Sequence, residues 1–466
     1  MNRNREFTVI AVVFMALFVL LIVYFVYFQL AKSASFISSS YNPRLDLYAE
    51  HVTRGDIVTT DGVTVATTQT DSDGEEERVY PYSNMFAHAV GYTTNGKSGI
   101  ESQYNYNLLQ SHSFIGTQII NSLRSEKNQG DTVVTTLSFS IQEAAYNALG
   151  SNDGAVVVLD ADTGAILAMV SKPDYDPNTL ASEWDSIVAD EDNSQLLNRV
   201  TNGLYPPGSV FKIVTTLEYM HENDSVSSFS YDCTGSITAG DTTIHCYNGS
   251  VHGMQSLIEA FANSCNNAYA SIGLSLDTDS LSSLCKKLLF NKTLPTKLSS
   301  TAKSQFSLDA DDGDGMIMQT AIGQGETMVS PLHMAMLAAA IANQGVVMEP
   351  YLVDHIENDN GVVVTSNDPE EYGSIMSKKD AKRLRKYMKA VVSEGTASAL
   401  SGASYTAAGK TGSAEYNSDG DSHGWFVGYA SEGDKTYAIA VIVEDGGSGS
   451  SSAVPVAKAV FDAAFD

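Results

Sequence analysis

In the run Pro206-Pro207-Gly208-Ser209-Val210-Phe211-Lys212, two prolines and a glycine stop any preceding element. Ser209 then stands where a new helix can begin. A helix N-terminus offers unpaired N–H groups and partial positive charge, both suited to an alkoxide or a developing oxyanion. Lys212, three residues on, shares a helical face with Ser209 and lies within reach of its hydroxyl. Its neighbours Phe211, Ile213 and Val214 predict a dry setting, and desolvation lowers a lysine pKa. A neutral lysine can take the serine proton, so the pair reads as an activated nucleophile.

S-x-x-K alone carries little information, since Ser283 with Lys286 and Ser300 with Lys303 match it without a Pro-Gly break. Two further stretches raise its weight. Ser264-Cys265-Asn266 lies in a helix-prone region, and Lys410-Thr411-Gly412-Ser413 lies in 406–415, a plausible edge strand. Each has a look-alike, Ser40-Tyr41-Asn42 and Lys97-Ser98-Gly99, outside the expected catalytic region. The three stretches follow one another at offsets of 55 and 146 residues within one predicted domain.

The elements that must hold them are legible in outline. Two apolar runs, 155–159 and 165–170, flank Asp160-Ala161-Asp162-Thr163-Gly164 and read as a hairpin. A second antiparallel pair, 425–429 and 437–443, turns at Glu432-Gly433-Asp434. Helix-prone segments cover 210–221, 256–274, 331–343 and 378–392, with a last one at 454–465. Strands at both ends of a region with helices between predict an α+β domain whose sheet joins distant parts of the chain. The Gly-Ser stretch 446–452 reads as a flexible loop.

The chain has 466 residues, so two or more domains are expected. It holds 27 Lys plus Arg against 55 Asp plus Glu, a net charge of -28. Such a surface repels phosphate backbones and argues against nucleic-acid binding. Residues 7–30 carry no charge and suffice for a transmembrane helix of about 36 Å. Arg3 and Arg5 precede it, so residues 1–6 are expected in the cytoplasm and the rest outside the cell membrane. A cleaved signal ending near the small residues 31–35 is the rival reading. All four cysteines, Cys233, Cys246, Cys265 and Cys285, fall in the external part, where an oxidising setting permits a disulfide, with Cys233 and Cys246 the favoured pair and the bond itself left open by the sequence. His245 and His252 invite a zinc reading, but the spacing has no C-x-x-C knuckle, so neither metal nor cofactor is expected.

Order and setting together make the chain resemble the penicillin-recognising serine enzymes, penicillin-binding proteins and serine β-lactamases. The likeness extends to Ala321-Ile322-Gly323-Gln324-Gly325-Glu326 and to Glu394-Gly395-Thr396-Ala397. Near the N-terminus, Arg54-Gly55-Asp56-Ile57, Asp61-Gly62-Val63 and Gly99-Ile100-Glu101 resemble the class B pedestal. The resemblance implies a five-stranded antiparallel sheet flanked by helices over 146–466, a β-rich pedestal over 31–145, and the anchor before it. It implies catalytic roles for Ser209 as nucleophile, Lys212 as base, Ser264 as proton relay, Asn266 and Lys410. Lys410 would add positive potential and keep Lys212 neutral. Thr411, Gly412 and Ser413 would meet the substrate carboxylate, and the N–H groups of Ser209 and Ser413 would form an oxyanion hole. Gln324 would line the cleft, or only stabilise a turn. Cys265 is expected to be a buried small side chain, His252 and His423 structural, and Asp56 and Asp61 turn residues.

The implied reaction is cross-linking of peptidoglycan stem peptides at D-alanyl-D-alanine, with β-lactams as inhibitors. The same motifs serve β-lactamases, D,D-carboxypeptidases and non-enzymatic penicillin sensors. No E-x-x-L-N pattern follows Asn266, which argues against a class A β-lactamase. A glycan polymerase domain does not fit between Leu30 and Gly154, so a separate polymerase of the FtsW/RodA (SEDS) type is the expected partner. The absence of a further repeat suggests the short PbpA-like branch of the class B proteins.

Overall fold

A computed structural model of the chain describes residues 3–31, 48–190, 193–223, 225–309, 311–416 and 422–466. The look-alike Ser40-Tyr41-Asn42 and the small residues 32–35 lie outside them. Helix α1 (Arg3–Ala31) contains the uncharged stretch. An 18-residue window within residues 5–29 has a mean hydropathy of 3.2 and buries nothing against the rest of the described chain, so α1 is long and apolar enough to cross a membrane.

The pedestal begins with strands β1 (Ile57–Val58), β2 (Thr64–Thr70), β3 (Glu76–Val79) and β4 (Thr132–Thr135). Helix α2 (Phe139–Leu149) follows and leads to the expected hairpin, β5 (Gly154–Asp160) and β6 (Ile166–Lys172). Strands β7 (Val353–Glu357) and β8 (Val363–Ser366) come from far downstream, yet they complete the pedestal sheet in the order β8-β7-β4-β1-β2-β3. The expected pedestal bounds of 31–145 do not include all of the pedestal sheet. The 145/146 boundary falls inside α2, and residues 353–366 return to the pedestal sheet. The pedestal signatures have a structural reason: Glu101 is fully buried and takes ion pairs from both Arg54 and Arg78. Asp61 does more than turn the chain, because its carboxylate accepts from the Phe139 N–H that opens α2.

Strands β9 (Thr406–Glu415), β10 (Ser422–Glu432) and β11 (Lys435–Val443) form the other sheet, in the order β9-β10-β11-β5-β6. Every pairing in it is antiparallel. The Gly433-Asp434 turn closes the β10–β11 hairpin, with Gly433 at φ 61°. Strand β9 lies at the sheet edge, as the sequence predicts. Trp425, Phe426 and Val427 of β10 are wholly buried, because helices cover the sheet.

Those helices are α3 (Lys212–Glu222), α4 (Leu257–Ala262), α5 (Asn266–Gly273), α6 (Pro331–Ala342), α7 (Lys378–Ser393) and α8 (Ala453–Phe465). Helix α6 buries ten of its twelve residues against β5, β10 and β11, which suits a helix apolar on all sides. Helices α2 and α8 pack on each other and on the sheet. The single helix expected over 256–274 is instead two. The capping box of Ser256 and Glu259 starts α4, and the chain breaks where Ser264 takes φ 56°. The Gly-Ser stretch is anchored rather than a free tether: Gly449 N donates to Gly412 O at 3.1 Å and Gly447 N to Ser422 O at 2.9 Å.

Candidate active site

Ser209 sits in a 3-10 turn, Gly208–Phe211, that runs directly into α3. The turn is fixed from several sides. Trp425 Nε1 donates to Pro206 O at 3.0 Å, and Gly208 N donates to Gly323 O at 2.8 Å. The Phe211 ring packs against Phe290 and Phe306. Gly208 has φ 52°, and a β-carbon there would lie 2.6 Å from Ser413 O. The glycine thus brings the Ser209 turn against β9. Gly412 contributes to the same contact, since a side chain on it would meet Pro207 O and Val210 at 3.1 and 3.2 Å. Ser209 is half-buried, and its hydroxyl makes no hydrogen bond to another described residue.

Lys212 is fully buried, one turn along. Its amine donates to Ser264 O at 2.7 Å and Asn266 Oδ1 at 2.7 Å, and lies 3.2 Å from Ser264 Oγ. Burial pulls its pKa down to about 7, while the nearby Cys265 and Cys246 act in the opposite sense. Asn266 is held from its other side, with Nδ2 donating to His245 O at 2.9 Å. The left-handed backbone of Ser264 is uncommon for a residue with a side chain, and it turns both oxygens of this serine toward lysines.

Lys410 of β9 is equally buried. Its amine donates to Ser264 Oγ at 2.8 Å and Thr411 O at 3.0 Å. Burial holds its pKa well below the ordinary lysine value, and the Lys212 charge adds to that. Burial is thus the first cause that lowers both amines. Thr411 meets Thr396, hydroxyl to hydroxyl, at 2.5 Å. Ser413 is half-buried two residues further along β9. Eight of the nine expected site residues, Ser209, Lys212, Ser264, Asn266, Lys410, Thr411, Gly412 and Ser413, therefore converge where α3, the α4–α5 break and β9 meet.

Gln324 has another occupation. With its amide oriented to satisfy both groups, it donates to Glu415 O and accepts from Glu415 N, each at 3.1 Å. It pairs with the end of β9 like a short strand, so its amide is engaged by backbone. Thr396 acquires a position that sequence reasoning did not assign, although the Glu394-Gly395-Thr396-Ala397 run signalled it. The disulfide permitted between Cys233 and Cys246 is not formed. Both thiols are free, 3.6 Å apart, with Cys265 and His252 close by. His423 stacks on Tyr416 and accepts from Asp445 N, which fits its structural reading.

Comparison with known proteins gives this geometry its family. A model described as the penicillin binding protein transpeptidase domain matches residues 154–462, and one described as the penicillin binding protein A dimerisation domain matches residues 54–133. The chain is 31% identical to the peptidoglycan D,D-transpeptidase PbpA of Mycolicibacterium smegmatis, over 99% of both chains. It is similar to a solved D,D-transpeptidase domain of a peptidoglycan glycosyltransferase from Eggerthella lenta, with TM-score 0.78 and 33% identity over 88% of this chain and 97% of that one. The ceftriaxone acyl-enzyme complex of penicillin-binding protein A from M. tuberculosis aligns with TM-score 0.81 and 27% identity, over 91% of this chain and 100% of that one. With its α+β catalytic fold, pedestal and convergent serine and lysines, the chain belongs to the penicillin-binding protein transpeptidase family.

Proposed function

We propose that the chain is a serine D,D-transpeptidase that cross-links peptidoglycan stem peptides at D-alanyl-D-alanine and is acylated by β-lactams. The observation that carries this reading is the meeting of two buried lysines, Lys212 and Lys410, on the Ser264 hydroxyl, with Lys212 in the helical turn that follows Ser209. In the first half-reaction Ser209 Oγ attacks the penultimate D-alanine carbonyl and its proton passes to neutral Lys212. The N–H groups of Ser209 and Ser413 stabilise the oxyanion. Ser264, between the two amines, passes its proton to the leaving D-alanine amine as the peptide bond breaks and takes in its place the proton held by Lys212. An acceptor amine then attacks the acyl-enzyme, returning the proton and freeing Ser209.

Lys410, Thr411 and Ser413 present positive charge and hydroxyls to the substrate carboxylate, and Asn266 orients the Lys212 amine and the substrate amide. The free edge of β9 supports an extended peptide lying alongside it. Gln324 serves this edge by holding its Glu415 end rather than by touching substrate. Helix α1 supports anchoring in the cell membrane with Arg3 and Arg5 on the cytoplasmic side and the catalytic domain outside. The class B resemblance supports a separate SEDS-type glycan polymerase as partner.

The test uses the full-length protein in detergent. Fluorescent penicillin should label it covalently, and Ser209→Ala should abolish the adduct. A stem-peptide thioester offered with a D-amino acid acceptor should give mainly transfer product. Labelling of the alanine variant at the wild-type level removes Ser209 as nucleophile, and hydrolysis alone in the presence of acceptor reassigns the chain as a carboxypeptidase.

A further inference from the structure

We propose that one face of α7, with the end of α6 and the hairpin end of β10 and β11, forms a binding site for an anion that carries two or more phosphate groups. A cavity of about 520 Å³ opens there, within the size range of small-ligand sites. Four of the eight residues lining it are cationic, Lys382, Arg385, Lys386 and Lys389, and none is acidic. The chain as a whole has a net charge of -28, yet seven of its 27 Lys plus Arg lie on α7. A merely solubilising surface on so acidic a chain would mix both signs.

Helix periodicity builds this stripe. Ala381, Leu384, Tyr387, Met388 and Val391 form the buried side of α7. Lys382, Arg385, Lys386 and Lys389 recur at intervals of three and four, so they share another side, over about 10 Å of helix. Like charges at these intervals repel one another, and among the described residues no carboxylate pairs with any of the four. Arg385 Nη1 donates to Ala342 O, at the last residue of α6, at 2.9 Å. That contact fixes the guanidinium beside the cavity and leaves its charge unneutralised.

Tyr429 points independently to a ligand. It lines the cavity and is 3% exposed, and its hydroxyl is buried with no hydrogen-bond partner among the described residues. Buried polar groups are normally paired, so this phenol lacks a partner that a ligand oxygen can supply. Arg385 is close enough for its charge to act on the phenol, against the upward push of burial on its pKa. Ser431 and Thr436 pair across the β10–β11 hairpin and add two hydroxyls to the wall. Donors converging from a helix and two strands suit the tetrahedral oxygens of phosphate better than the two coplanar oxygens of a carboxylate. The stripe is longer than one phosphate group, and therefore two or more are needed to cover it. Tyr429 pairs with Ala408 and Ser431 with Thr406, so the site lies two to four residues before Lys410 along β9, apart from the Ser209 groove.

The experiment titrates the full-length protein, in detergent and phosphate-free buffer, with inorganic phosphate, pyrophosphate, a short synthetic glycerol phosphate chain and citrate, by calorimetry. Pyrophosphate or the glycerol phosphate chain should saturate about one site per chain, at least about tenfold tighter than inorganic phosphate or citrate, and weaken as salt rises. The tighter of the two tells a pyrophosphate-headed ligand from a phosphodiester polymer. Lys386→Gln combined with Lys389→Gln should weaken binding at least about tenfold, and Tyr429→Phe about threefold to tenfold. Lys378→Gln combined with Lys379→Gln removes the same charge from the same helix outside the cavity, and should change binding by less than about twofold. Absence of saturable binding overturns the proposal, as does citrate binding as tightly as the phosphates, or equal losses in the two double variants. Penicillin labelling is read separately on every variant and should stay at the wild-type level, so failure of the anion site leaves the transferase reading intact.

Discussion

The Lys410 amine lies 2.8 Å from the Ser264 hydroxyl oxygen. Lys212 approaches the same oxygen at 3.2 Å. A hydroxyl has one proton to donate, so it can accept from one amine while donating to the other. Lys212 already directs N–H groups at Ser264 O and Asn266 Oδ1. A neutral amine has two hydrogens and one lone pair, and with both hydrogens engaged the lone pair remains for a hydroxyl proton. Lys410 donates to Ser264 Oγ and Thr411 O. Two buried ammonium groups on either side of one hydroxyl repel, so burial and mutual repulsion disfavour both being charged, and the proposed mechanism requires Lys212 to be neutral.

Acylation should therefore depend on pH through Lys212. Burial lowers this amine to about 7, and only its neutral form accepts the Ser209 proton. The second-order rate constant for fluorescent penicillin should climb about tenfold from pH 6 to pH 8 and level off above. A flat profile over that interval, or one that falls, removes Lys212 as the base.

Ser264→Ala should leave the fold in place and slow acylation by ~10² to 10⁴, the range for a positioned proton-transfer group. The substitution deletes the only oxygen that, among the described residues, lies within hydrogen-bonding distance of both amines. Thermal unfolding and the acylation rate measured together separate the two effects. A variant that acylates at the wild-type rate excludes Ser264 from proton transfer.

The turn at Ser209, the burial of Lys212 and the edge strand were legible because each has a local signature: a Pro-Gly break, an apolar helix face, and β-prone residues around Lys410. The break between α4 and α5 was not. Residues 256–274 read as one helix, and only contact with Lys212 and Lys410 gives Ser264 a reason to adopt φ 56°. The return of 353–366 to the pedestal was hidden because β-strand pairing joins residues far apart in sequence. Gln324 was ambiguous for a related reason, since its partner is backbone, which has no side-chain signature.

Thr396 is predicted to act as a positioning residue. Its hydroxyl meets that of Thr411 at 2.5 Å, and its N–H donates to Ala262 O at 3.3 Å, joining the end of α4 to β9. Thr396→Val removes the hydroxyl contact and frees the Thr411 rotor. Initial binding of a carboxylate-bearing β-lactam should weaken roughly tenfold, with the first-order acylation step little changed. Thr396→Ser should restore binding. A loss confined to the acylation step instead would move Thr396 into the proton-transfer network.

Gly323 should tolerate no side chain. It has φ 81°, and a β-carbon there would overlap the Gly208 carbonyl oxygen and lie 2.8 Å from Phe211 Cβ. Gly323→Ala should destabilise the domain by more than about 3 kcal/mol, or shift the Ser209 turn and slow acylation. Wild-type melting temperature and acylation together would show that the Gly208–Gly323 contact does not hold the turn.

Two buried histidines should make the protein acid-sensitive below neutrality. His88 Nε2 lies 2.9 Å from Gln195 O, and His333 Nε2 lies 2.8 Å from Leu288 O. Each ring serves as a neutral donor, and His333 Nδ1 has no partner for a second proton. Burial lowers both groups to about 4. Their folded values lie below the unfolded value of ~6.5, so between pH 4 and 6.5 the unfolded chain binds more protons. Stability should then rise with pH across that window and be lost as pH falls through it, by about 3 kcal/mol for each histidine. Denaturant midpoints measured at pH 4.5 and pH 7 check this, and His333→Gln should reduce the difference between them. Equal midpoints at both pH values for the wild-type chain would show that neither ring is held neutral by burial.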